Sequence, residues 1–358
     1  MKTALLVSLL SILASLSSCK GQGEHKELNQ PQKNSLQIGE FISEIDNKIW
    51  VIYQDQDDNY WFGSKGNGIF QYDGKILKQF TQKDGLIDNS IRKIQEDKSG
   101  NLFIETPVGI NKYDGKKFTV LKPISTQQNE WKLDANDLWF SCNGSANDVY
   151  RYDGKDLYQL QLPRKDLEKA FEINEQNLSY NPYSVFSISK DGNGNVWFGT
   201  VLAGAFRYIG KSFLWFSEKE LSRLESGQEP GVRSIIEDKN GNIWLSNFIS
   251  KYKVNANDTR YEKFEGFDTS SGILENRFPY FNAGLIDNNE NLWMTTYGGG
   301  VWKYDGKTLI NIPIKDGESD VKLISIYQDN HCNIWLGSDN AGAYKMNGDS
   351  FEKFVPQI

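Results

Sequence analysis

The sequence is poor in the residues that most often carry metal, redox or nucleophilic chemistry. Its 358 residues hold two His, three Cys and three Met. His25 lies in a polar N-terminal stretch and His331 in a turn, which argues against a zinc site. His331 and Cys332 are adjacent, and neighbouring side chains on a strand point to opposite faces. No Gly-x-Ser-x-Gly elbow or P-loop occurs. Neither a metal nor another cofactor is expected. Basic excess is missing too: 40 Lys and Arg stand against 47 Asp and Glu, a formal net charge of −7 and a pI near 5.2. That balance argues against a nucleic-acid partner and is read as solubility. Carboxylates are spread so widely that none can be singled out as a hydrolytic pair. A long apolar run is also lacking, because Leu5–Leu16 is too short to span a bilayer as a permanent helix.

That short run has another use. Lys2 supplies a positive start, and Leu16-Ser17-Ser18-Cys19 closes the segment. The pattern resembles a bacterial lipoprotein lipobox. The resemblance implies a signal peptide over 1–18 and acylation of Cys19, whose several chains would make a stable anchor. Lys20, where Asp would favour inner-membrane retention, implies the outer membrane; the leaflet stays open. Residues 19–37 are polar and read as a flexible tether. Cys142 follows one strand and Cys332 precedes another, at opposite ends of their units, so both are expected as free thiols.

Over residues 38–358 the chain repeats itself. Aromatics make up 13% of the sequence, with ten Trp, and 32 Gly punctuate it. Trp61, Phe103, Trp139, Trp197, Trp244, Trp293 and Trp335 recur roughly 36 to 58 residues apart, a period that indicates a propeller or an array. Each unit has four strand-like pieces. An apolar run ends in acid, as in Ile91–Asp97; the anchor aromatic follows; the third piece ends in Tyr-Asp-Gly; the fourth is a short aromatic run. The fold class is therefore all-β, a seven-bladed β-propeller of four-stranded antiparallel blades. Asp-Gly after Tyr72, Tyr113, Tyr152 and Tyr304 predicts type I′ hairpins. Asp55–Asn59 and Asp191–Asn195 look like the start of an EF-hand loop. They lack its twelfth-position Glu, and their recurrence favours Asx turns. The third unit has lost its acidic turn, with Lys132-Leu133-Asp134 in its place. Ser35–Ile42 and Phe351–Phe354 are both candidates to close the ring at the seventh blade.

Gly194-Asn195-Val196-Trp197-Phe198-Gly199-Thr200, Gly241-Asn242-Ile243-Trp244 and Gly85-Leu86-Ile87-Asp88-Asn89 carry a further resemblance. The chain resembles the two-component-regulator propeller family over about residues 49–355. The resemblance implies a ligand-binding sensor propeller outside the cytoplasm, often responding to glycans. The expected reading is a stand-alone envelope lipoprotein that recognises a ligand, a glycan or an envelope-protein partner and signals through that partner. It is expected to be monomeric, membrane-bound through its lipid, and facing the periplasm or cell surface. The alternatives are a lyase or hydrolase acting on glycans or glycopeptides, and a structural scaffold in an envelope complex.

The binding surface is expected where first strands enter the channel. Inserted length at Gln161–Pro182, Ser217–Gly231 and Asn255–Pro279 is expected to gather on that face. The candidates are Asn89, Arg92, Tyr183, Arg233, Arg277, Tyr280 and Tyr297. Arg supplies planar donors and Tyr an apolar face with a polar tip, which suits sugars or carboxylated ligands.

Overall fold

A computed structural model describes residues 38–358, except 126–130, 143–147, 224–226, 228, 255–259 and 268–279. The leader, Cys19 and the tether lie outside the described residues. Among those described, no helix is long and apolar enough to cross a membrane.

Seven sheets form the blades of a propeller. The inner strands are Ile49–Gln54, Lys93–Glu96, Val185–Lys190, Ile235–Glu237, Ala283–Ile286 and Leu323–Gln328, in blades 1, 2, 4, 5, 6 and 7. The second strands carry the anchors: Tyr60–Ser64, Leu102–Thr106, Leu138–Phe140, Val196–Thr200, Asn242–Leu245, Leu292–Thr295 and Ile334–Ser338. Each anchor is at most 2% exposed. Seven apolar clusters form, each between neighbouring blades, as where Trp61, Ile69 and Phe80 of blade 1 meet Leu102, Ile104 and Tyr113 of blade 2. A single blade buries neither face, so the interfaces are the core. Glycine two residues past the anchor permits that closeness. A Cβ on Gly199 would lie 2.2 Å from the Val232 carbonyl oxygen of the next blade.

The Asx turns have a specific chemistry. Asp329 Oδ1 accepts from the His331 and Asn333 amides at 3.0 and 2.8 Å, and its Oδ2 accepts from Trp335 Nε1 at 2.8 Å. Asp55, Asp191, Asp238 and Asp287 repeat this, each receiving the indole N–H six residues on. The Asp therefore ties a turn to its anchor. In blade 3 the sixth residue before Trp139 is Leu133, and Trp139 Nε1 is buried with no partner. A second device links blades. The residue just before the turn Asp accepts from the amide just after the turn Asp of the preceding blade. Glu96 thus accepts from Gln56, Glu237 from Gly192, Gln328 from Asn288 and Gln54 from Asn330.

Three expectations need correction. The Tyr-Asp-Gly hairpins are not type I′: Tyr72 pairs with Leu77, leaving four loop residues, and only Gly74 has positive φ, at 92°. Asp73 Oδ1 instead accepts from the Lys75 and Ile76 amides. Glu40–Phe41 pairs antiparallel with Leu77–Phe80, so it extends blade 1 rather than blade 7. No blade is shared between the termini. The ring closes through loops and side chains: Gly342 N donates to Asn47 O, Tyr60 Oη to Asp329, and Phe354 packs on Phe62 and Trp335. Blade 3 also departs from the pattern. Among the described residues no strand holds its inner position, and Pro123–Ser125 runs parallel to Leu157–Gln161 on its outside. Side chains occupy its inner edge: Gln95 Nε2 donates to Trp139 O, and Glu105 Oε1 accepts from the Ser141 and Cys142 amides. Cys142 and Cys332 are free, the first buried and the second exposed.

Candidate functional site

The channel holds a cavity of about 500 Å³, within the range of small-ligand sites. Its wall is a ring built by one rule. In six blades a buried apolar residue begins the inner strand or lies two or three residues before it: Ile49, Ile91, Val185, Val232, Phe281 and Leu323. Three of them are fixed by backbone bonds to the preceding blade, from Ile91 N to Ser64 O, Val232 N to Thr200 O and Phe281 N to Ser246 O. The next residue faces the cavity. These are Trp50, Arg92, Phe186, Arg233, Asn282 and Ile324. In blades 1, 4 and 7 the ladder register shifts across this residue, which lets it leave the strand's alternation.

Two neighbouring pairs in the ring repeat one arrangement. The Arg92 guanidinium lies 4.6 Å from the Trp50 ring centroid, and that of Arg233 lies 4.2 Å from the Phe186 ring. Arg233 Nε donates to Pro230 O at 2.9 Å, which fixes its orientation. Arg92 Nε is buried and has no partner. Burial works against the charge of both, opposed at Arg92 by Glu105 and Asp88. Lys93 also lines the cavity and reaches toward blade 4, with Nζ 3.4 Å from Ile188 O. Burial lowers its pKa, Glu105 pulls the other way, and Lys190 adds to the lowering.

The mouth is held by Asp339. Its Oδ1 accepts from Trp50 Nε1 at 2.9 Å and from Lys65 Nζ at 3.1 Å; its Oδ2 accepts from Tyr297 Oη at 3.3 Å. Burial opposes ionisation there, yet Trp50, Lys65 and Tyr297 outweigh it and hold the carboxyl below its usual range. Among the described residues, three cations and one carboxylate line the cavity. That carboxylate, Glu105, is 2% exposed, with Oε1 engaged by Ser141 and Cys142. The cavity is therefore electropositive within an acidic chain, and its aromatic walls offer flat apolar contact.

Of the sequence candidates, Arg92, Arg233, Tyr280 and Tyr297 line this one cavity. Asn89 does not. Its side-chain oxygen accepts from Gln82 N and its carbonyl from Gly68 N, a structural turn. Tyr183 is fully buried in the core between blades 3 and 4, with its hydroxyl bound to Lys165 N and O. Arg277 lies outside the described residues. The insertion after Gln161 folds back instead of building the site: a helix at Leu167–Phe171 buries Leu167 and Phe171 against that core. The sequence reading missed Trp50, Lys93, Phe186 and Ser325. The register rule above would have found Trp50 and Phe186, since each follows the aliphatic residue that opens its strand.

Three segments, 43–66, 179–201 and 226–248, match the family model described as two component regulator propeller. Each runs from a ring residue through its anchor: Trp50 to Trp61, Phe186 to Trp197, Arg233 to Trp244. The chain is 26% identical over 314 residues to Histidine kinase P4 of Formosa agariphila, an alignment covering 84% of this chain and 19% of that protein. The chain thus spans about a fifth of the length of the curated relative it matches. The extracellular domain of BT4673 from B. thetaiotaomicron, assigned to the hybrid two component systems, superposes with a TM-score of 0.58 at 21% identity, covering 87% of this chain and 40% of that one. A streptogramin B lyase superposes at 0.60 with 13% identity, covering 86% and 97%. At these identities the superpositions show the fold.

Proposed function

We propose that this chain, three segments of which match the two component regulator propeller model, is a ligand-recognition propeller of the cell envelope. The observation that carries this is the ring of six channel residues, in which six of the seven blades each contribute a side chain from one equivalent position. A packed structural channel needs no paired arginines left without carboxylates. Here Arg92 and Arg233 make no ion pair among the described residues, and Arg92 keeps a buried donor unfilled. Buried polar groups of this kind are normally satisfied, so a ligand is the partner that completes them.

In this reading Cys19 carries the lipid, residues 19–37 tether the propeller at the outer membrane, and the signal passes to a separate envelope protein. The likeness to Histidine kinase P4 supports the sensing role, and the lipobox-like Leu16–Cys19 supports the anchor. Recognition without turnover is the function proposed. The test is a screen of the purified chain against glycans and periplasmic proteins, with product analysis alongside. Saturable binding with the ligand recovered unchanged supports the reading. Turnover of a bound glycan would make the chain an enzyme and overturn it.

A further inference from the structure

The proposed site also indicates what kind of ligand enters it. Arg92 on Trp50 and Arg233 on Phe186 are the same construction placed twice, between blades 1 and 2 and between blades 4 and 5. Three blades separate the pairs in a ring of seven, so they stand on opposing flanks of the cavity. In each, the guanidinium lies over the face of the aromatic ring, and a group held there offers its N–H edge as the contact with a ligand. At Arg92 that edge includes Nε, buried without a partner; at Arg233 Nε is already given to Pro230 O, which leaves the terminal nitrogens. An oxyanion accepting two parallel N–H bonds fits such an edge.

Three further features agree. Lys93 adds a third cation with no carboxylate paired to it among the described residues. Glu105 lies near enough to favour the charge of Arg92 and Lys93, but it forms no ion pair with them among the described residues, and its Oε1 is taken by the Ser141 and Cys142 amides. The volume of about 500 Å³ admits a disaccharide-sized molecule rather than a bare ion.

We propose that the channel binds a saccharide-sized organic oxyanion, a carboxylate or a sulfate ester, whose charged group seats on the Arg92 and Arg233 edges while its apolar face lies along Trp50 and Phe186. This rests on the channel being the ligand site. The oxyanion chemistry is shared by uronic acids and sulfated sugars, and the experiment separates them.

The full chain is titrated calorimetrically at low salt with digalacturonic acid, lactose 3′-sulfate, lactose and inorganic sulfate. One or both charged sugars should bind, weakening as salt rises, with lactose and inorganic sulfate much weaker. Digalacturonic acid alone identifies a carboxylate site; lactose 3′-sulfate alone identifies a sulfate-ester site. Arg92→Ala and Arg233→Ala should each weaken the charged probe by about tenfold or more. Arg92→Lys should recover only part, since it keeps charge without the planar edge. Melting curves of the variants exclude unfolding as the cause. Lactose binding as tightly as its sulfate, with loss in Phe186→Ala, would keep the channel as the site and overturn the anionic class. A charged probe bound undiminished by the Arg92→Ala, Arg233→Ala double variant would overturn both. Inorganic sulfate binding as well as the sugars would reduce the site to an unspecific anion hole and overturn the saccharide-sized ligand. No heat with either charged sugar overturns the inference.

Discussion

Trp139 and Trp335 are anchors of equal burial with opposite polar fates, and exchanging each for Phe isolates the difference. Both are at most 2% exposed and both sit mid-strand between blades. Trp335 Nε1 donates to the ionised Asp329 at 2.8 Å; Trp139 Nε1 donates to nothing. Removing the indole N–H from position 335 forfeits a hydrogen bond to a charged group, about 1.5–3 kcal/mol. Removing it from position 139 relieves a buried unsatisfied donor, a gain of about 1–3 kcal/mol. The loss of ring volume is the same in both variants and cancels in the comparison. Trp335→Phe should therefore be less stable than Trp139→Phe by at least about 2.5 kcal/mol. Urea unfolding followed by far-UV circular dichroism measures it without relying on the removed fluorophore. Equal destabilisation by the two variants would refute the argument that the turn Asp, and not ring packing alone, fixes each anchor.

Other outcomes follow from the same geometry. Burial raises the Glu96 pKa above its ordinary value. A carboxyl raised on folding adds stability below its unfolded pKa and loses it as pH rises through the folded value. Glu96→Gln should therefore stabilise the protein at pH 7, with the advantage fading toward pH 4 in melts across that range. Gln already stands at the equivalent positions 54 and 328. Gly199→Ala drives a methyl against the Val232 carbonyl oxygen and should cost about 1–3 kcal/mol or more, read from urea midpoints. Trp244→Ala empties a filled interface and should cost about 3–5 kcal/mol in the same assay. Cys19→Ala should abolish fatty-acid labelling and membrane fractionation; continued labelling would sink the lipoprotein reading.

The blade count was legible because one signal, the spaced anchor aromatics, is written seven times and each copy is held by the same interface packing. The acidic turns were legible as turns. Their purpose was not, because the bond from Asp329 to Trp335 becomes visible as a rule only once five indoles are seen to repeat it. The Ile-x-Glu-Asp run was read as a strand ending in acid. Glu96 and Glu237 are in fact staples to the preceding blade, a contact between units that no single repeat contains. Site residues were half legible for a similar reason. Arg and Tyr were sought by type near strand entrances, which found Arg92, Arg233, Tyr280 and Tyr297. Tyr183 was lost because a nearby entrance does not say which way a side chain turns; its hydroxyl turns into the core to hold Lys165. Trp50 and Phe186 were passed over as ordinary strand aromatics, since strict alternation hides a residue that a register shift redirects.

The third unit shows how one local loss in the repeat propagates to the channel. Leu133 stands where the other units place the Asp that ties turn to anchor. Without that carboxylate the turn before Trp139 is held by Asp134 and Asp137, the anchor's Nε1 has no partner, and no inner strand forms there among the described residues. Asp137 pairs with the buried Arg151 instead, so the blade keeps an ion pair beside its anchor strand. Among the described residues, side chains approach the inner side of this blade from both neighbours. Lys190 of blade 4 donates to the carbonyls of Asp134, Ala135 and Asp137, and Lys93 of blade 2 reaches the Ile188 carbonyl. A backbone ladder would have presented neutral, self-satisfied groups to this flank. The side chains found there bring the Lys93 ammonium, Glu105 and Ser141 to the wall. The electropositive character of the cavity therefore has two sources of different kinds: the ring position, which supplies Arg92 and Arg233 by repeat geometry, and the inner edge of blade 3, which holds no strand among the described residues and admits Lys93. Substitution on the second flank alters charge without breaking a strand, which makes it the part of the channel freest to change ligand preference while the propeller stays intact.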